Sequence, residues 1–152
     1  MILTSPSFND GEAIPRKFTC EGGNINPELL IQNVPRGAKS LALIMHDPDE
    51  PREGGFTHWV AWNISPETGV IKQESVPPGS REGLHSKGGS GYVGPCPPPG
   101  HGAHCYEFRL YAVDATFDLP ETTGRKELEA ALEGHVMERA LLTGIYERPA
   151  EG

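Results

Sequence analysis

The chain has 152 residues, a formal net charge of −8, 19 glycines, 15 prolines and three cysteines. The acidic balance excludes a sequence-independent grip on nucleic acid or anionic lipid, both of which demand a basic face. The apolar runs fall short of the roughly 20 residues of a membrane helix and no basic-then-apolar leader opens the chain, so one cytoplasmic domain over 1–152 is expected.

In chain order, a short strand at 2–4 precedes turn-rich segments, with a loop at 21–27 and a strand at 29–34. An apolar run of strand length over 40–46 then stops at Asp47-Pro48-Asp49-Glu50-Pro51, two acids locked between prolines. Residues 57–64 form the next predicted strand, with His58 near its start, followed by a short one at 70–73. The polar Gly/Ser/Pro stretch 77–90 has no periodicity and reads as a long loop or lid.

Between Gly91 and Gly102 the chain carries Pro95, Pro97, Pro98 and Pro99 among four glycines, so most of it can be neither helix nor central strand. It reads as a pocket wall. Period-two alternation over 105–113 predicts a half-buried strand. Leu128, Ala131 and Leu132 at helical spacing predict a helix over 125–133, started at Thr123 or Gly124 and ended at Gly134. A strand over 138–147 closes the chain. Short strands, one helix in the C-terminal half, long loops and no βαβ rhythm predict a mainly β protein, an antiparallel β-sandwich.

Singly, the polar residues read blandly: His46 as structural, His101 as solvated, Trp59 and Trp62 as core. Cys96 and Cys105 read as packed thiols or a pair bridged across the loop. With no CxxC pair, three reduced thiols are the simpler expectation. The constellation says more. Asp47, Asp49, His58 and His104 all fall at strand–loop junctions beside proline-stiffened backbone, where preorganised polar groups converge. Imidazoles near carboxylates have their cationic form favoured and can donate to a phosphate or carboxylate. The adjacent acids favour an occupant that shares a proton or carries an amine, and backbone N–H groups near Gly94 would add donors.

These residues resemble the phosphatidylethanolamine-binding protein family, also called the Raf-kinase-inhibitor-like family, in its bacterial and archaeal branch. The resemblance rests on Asp47-Pro48-Asp49-Glu50-Pro51, on His58-Trp59-Val60 with Asn63-Ile64, and on Gly91-Tyr92-Val93-Gly94-Pro95-Cys96-Pro97-Pro98 with His104 and Tyr106. Gly134-His135-Val136 and Thr143-Gly144-Ile145-Tyr146 add the branch's ending. The resemblance implies a β-sandwich with a small anion pocket built from Asp47, Asp49, Pro51, His58, Gly94, Pro97, His104 and Tyr106. It also implies a cis bond before Pro51. Cys96 stands where eukaryotic members carry glycine, and those members have an extra C-terminal helix over the pocket, so their ligand preference and kinase partners do not carry over.

The function expected is a non-enzymatic binding protein for phosphate- or carboxylate-bearing groups: a phospholipid head group, a nucleotide or a phosphorylated partner. Modulation of a protein kinase or serine protease, and a homodimer, fit the same reading; no cofactor or metal is called for. The alternative is a small hydrolase in the same pocket, with Cys96 or Cys105, His104 and Asp47, or with a metal on His58, His104 and an Asp. A surface-acting protein with an idle pocket is the third reading.

Overall fold

The structure, a computed structural model, describes residues 1–150. Its strands are β1 (Ile2–Thr4), β2 (Leu29–Gln32), β3 (Ser40–Asp47), β4 (Phe56–Ile64), β5 (Val70–Ile71), β6 (Arg81–Glu82), β7 (His104–Val113) and β8 (Val136–Tyr146), with helix α1 (Arg125–Leu132) before β8. All pairings between these strands are antiparallel. They build a small sheet, β1-β2-β5, and a large one, β6-β4-β3-β7-β8.

The inward phase of β7, Tyr106, Phe108, Leu110 and Ala112, meets Leu3, Leu29 and Ile31 of the small sheet to form the main core. On the large sheet's other face Ala42, Ile44, Val60 and Trp62 pack under Leu128 and Leu132 of α1. β3 is therefore buried on both faces, which explains its continuous apolar run. Full burial of each helix leucine contributes about 2 kcal/mol, so this face holds α1 in place. Gly124 starts the helix in an extended conformation, and Gly134, at φ +83, provides the left-handed turn after it.

Two expectations are corrected and one is refined. The stretch 77–90 is mostly loop, as expected, but it is tied to the large sheet: β6 pairs with β4 at Ala61 and Trp62, Trp59 Nε1 donates to Glu82 Oε2 at 2.7 Å, and Leu84 bridges Ser90. A two-residue strand has no period to read, and its order comes from β4. The bond before Pro51 is trans, and the chain reverses through an Asx turn at Asp47 instead. The cysteines are not three reduced thiols: Cys20 and Cys96 form a disulfide 76 residues apart, and Cys105 is free. Backbone pairing of Cys20 N–H with the Pro95 carbonyl at 3.1 Å brings their Cα atoms to 5.4 Å, within the range a disulfide spans.

Candidate functional site

β3 delivers Asp47 to the end of the large sheet, where the Asp-Pro-Asp-Glu segment folds around its carboxylate. Oδ1 accepts the Asp49 N–H at 2.7 Å and the Glu50 N–H at 3.2 Å. Oδ2 accepts from His104 Nδ1 at 2.7 Å, and His104 Nε2 meets His101 Nδ1 at 2.9 Å. A chain of hydrogen bonds thus runs from exposed His101 to a carboxylate that is only 2% exposed. Both His104 nitrogens are committed, so His104 orients Asp47 and has no free N–H for a ligand. Asp49 Oδ2 accepts the Cys105 N–H at 2.8 Å, pinning the loop to the start of β7, and Pro51 is exposed.

His58 reaches the site through a break in register. Met45 pairs with Trp59 but His46 pairs with Thr57, leaving His58 as an extra residue in β4. Unbroken alternation would put His58 with Val60 and Trp62 under the helix. The bulge turns it to the other face, against Phe56 and Tyr106 at ring-centroid distances of 4.7 and 5.2 Å. Nδ1 donates to the Val93 carbonyl at 2.7 Å, so Nε2 is the open nitrogen. Burial outweighs that hydrogen bond and holds the imidazole pKa down at about 4. At neutral pH His58 therefore presents an acceptor, contrary to the cationic donor expected from sequence.

Asp47, His58, Gly94, Pro97 and Tyr106 line one cavity of about 170 Å³, together with Glu50, Phe56, Lys87, Val93, Cys96 and Pro98. Asp49, Pro51 and His104, also expected there, stand behind or beside it. Glu50 sits inside the acidic motif and was readable from it. Lys87 was not, since it comes from the patternless 77–90 stretch. The Tyr106 hydroxyl has no hydrogen-bond partner among the described residues, and burial with Asp47 and Glu50 nearby pushes its pKa up, so it stays a donor. The Gly94 N–H is not free, because it donates to Asn24 Oδ1 at 2.7 Å. That glycine is needed for packing: a Cβ there would lie 2.2 Å from the Phe18 carbonyl oxygen.

Chemically the cavity is amphoteric, with Lys87 and Tyr106 as donors and His58 Nε2, Asp47 and Glu50 as acceptors. It suits a small oxyacid group that carries or takes up a proton. A thiol nucleophile is poorly provided for: Cys96 is in the disulfide, and burial with Asp49 and Glu107 nearby raises the Cys105 thiol pKa. Asp47, Glu50 and His104 bring metal-ligating atoms within 4.8 Å of one another, but Asp47 and His104 already spend those atoms on hydrogen bonds. A wider groove of about 470 Å³ lies around Thr57, His85 and Arg125. Its Arg125 is paired with Glu129, and the aspartate and histidine motifs converge on the smaller cavity instead.

The sequence profile described as phosphatidylethanolamine-binding protein matches residues 4–147. A UPF0098 protein of Pyrococcus horikoshii is 49% identical over 97% of this chain and 77% of its own length. Among solved structures, one described as a phosphatidylethanolamine-binding protein homologue of Chlamydia trachomatis superposes with a TM-score of 0.91 at 39% identity, covering 97% of each chain. Escherichia coli YbcL, described as a member of the mammalian family, gives a TM-score of 0.90 at 28% identity, covering 95% of this chain and 96% of its own.

Proposed function

Because the chain belongs to the phosphatidylethanolamine-binding protein family, we propose that it is a non-enzymatic binding protein whose small cavity takes a phosphate- or carboxylate-bearing group. The observation that carries this reading is the convergence of His58 Nε2, the unpartnered Tyr106 hydroxyl and Lys87 on one cavity of about 170 Å³. A protonated phosphate satisfies all three: its O–H donates to His58, and its charged oxygens accept from Tyr106 and Lys87. A cavity of that size holds a head group and leaves the remainder of the ligand outside. The group is carried by a small molecule, such as a phospholipid head group or nucleotide, or by a cytoplasmic partner enzyme, a kinase or serine protease.

The test is NMR of the histidine ring signals while inorganic phosphate, phosphoethanolamine or acetate is added at pH 7. Saturable shifts of the His58 ring, weakened in Tyr106→Phe, are expected, with the half-buried His135, paired with Asp114 outside the cavity, unmoved. No saturable shift at His58 with any of the three ligands would overturn the reading.

A further inference from the structure

One wall of this cavity is closed by the Cys20–Cys96 disulfide, and Cys96 itself lines the cavity. Both cysteines are half-buried, so neither end of the disulfide is sealed in the core. Three hydrogen bonds independent of the disulfide hold the same wall to the segment 18–24. The Cys20 N–H donates to Pro95 O, the Gly94 N–H to Asn24 Oδ1, and the Tyr92 hydroxyl to Phe18 O, at 3.1, 2.7 and 2.7 Å. Opening the disulfide therefore leaves the wall standing. What changes is the sulfur.

Arg148 Nη1 lies 3.3 Å from Cys96 Sγ. A guanidinium at that distance stabilises a thiolate, which makes Cys96 the better leaving group and the sulfur that keeps its charge after reduction. The cavity otherwise faces two acids, Asp47 and Glu50, and one cation, Lys87, beside neutral His58 and Tyr106. A Cys96 thiolate adds a negative charge to the wall where an anion would sit and engages the Arg148 guanidinium that would otherwise attract that anion, and like charges disfavour one another in a partly desolvated site.

We propose that Cys20–Cys96 is a thiol–disulfide exchange site whose redox state sets the affinity of the cavity for anions, the oxidised form binding and the reduced form releasing. This inference rests on the anion-binding reading above. The reductant is a dithiol. One of its thiolates attacks Cys20 Sγ, the S–S bond breaks, and the electron pair leaves on Cys96 Sγ beside Arg148. The second thiol of the reductant then displaces Cys20 from the mixed disulfide. Two electrons pass to the protein and the reductant becomes its own disulfide. Its two protons end on the Cys20 thiol and in solvent, or on Cys96 when that thiolate is protonated.

The experiment titrates inorganic phosphate by calorimetry at pH 7 against the oxidised protein and against protein reduced with dithiothreitol, with free thiols counted in parallel. The expected result is one accessible thiol before reduction, from Cys105, and three after it, with phosphate affinity about tenfold or more lower in the reduced form. Cys20→Ser, which leaves Cys96 as a free thiol, should bind weakly with or without dithiothreitol. Cys96→Ser, with a neutral hydroxyl in the wall, should bind about as the oxidised parent does and ignore the reductant. Equal phosphate affinity of oxidised and reduced protein, or three thiols before reduction, would overturn the redox inference and leave the pocket reading standing. Absence of phosphate binding in both forms would overturn the pocket reading itself, and the redox coupling with it.

Discussion

Anion binding at this pocket should be tied to proton uptake by His58. With its pKa at about 4 in the free protein, only about one His58 in a thousand is protonated at pH 7, so recruiting the cation costs about 4 kcal/mol. Sulfate isolates this cost, because it has no proton to bring and does not titrate in the range. A negative charge about 4 Å from the imidazole, at an effective dielectric near 20, returns about 4 kcal/mol and lifts the bound-state pKa to about 7. Sulfate affinity should then rise about 50-fold between pH 7 and pH 5, with about half a proton taken up per ion at pH 7 and nearly one from pH 6 down to pH 5. Phosphate, which can donate its own proton to Nε2, should vary less. Asp47, Glu50, Lys87 and Tyr106 also face the cavity, and His58→Asn subtracts whatever they contribute to the slope. The assay is calorimetry in buffers of differing ionisation enthalpy. A flat sulfate affinity without proton uptake, or the same slope in His58→Asn, would refute the reasoning.

His104→Ala should destabilise the protein by about 3 kcal/mol in urea denaturation, because it strips a buried carboxylate of its imidazole partner. Tyr106→Phe, which removes a hydroxyl with no protein partner, should stay within about 0.5 kcal/mol of the parent while weakening phosphate binding. Burial depresses the pKa of both His46 and His58 from 6.5 to about 4, so the unfolded chain binds more protons between those values. Stability is then fully present above pH 6.5 and falls as pH drops to 4, by about 3 kcal/mol for His58; a denaturation midpoint unchanged from pH 7 to pH 4.5 would contradict this. Gly94→Ala forces a methyl group against the Phe18 carbonyl and should cost stability and loosen the pocket wall together, read as a lower midpoint and weaker phosphate binding.

Local chemistry carried much of this fold. The alternation over 105–113 became β7, the double-sided burial of β3 was foreshadowed by its unbroken apolar run, and the leucines of α1 sit at the spacing that covers the outer face. The Asp-Pro-Asp motif and the proline-rich stretch marked where the cavity lies. What each residue does there was less readable. Asp47 and His104 were both expected to face a ligand, yet only Asp47 lines the cavity, and His104, bonded to it from behind, is a buried support for the loop. Lys87 was invisible because a lysine in a patternless loop carries no sign of what it faces.

The sequence by itself determined the strands, the helix and the two loops that flank the cavity, because periodicity, proline and glycine act within a few residues of where they stand. Three features were decided only by tertiary structure: the bulge that turns His58 to the pocket, the Cys20–Cys96 pair and the short β6 that orders the Lys87 loop. Each depends on register or contact between segments distant in the chain. The charge state of His58 belongs with them, since desolvation is a property of everything packed around the ring and not of the ring's neighbours in sequence.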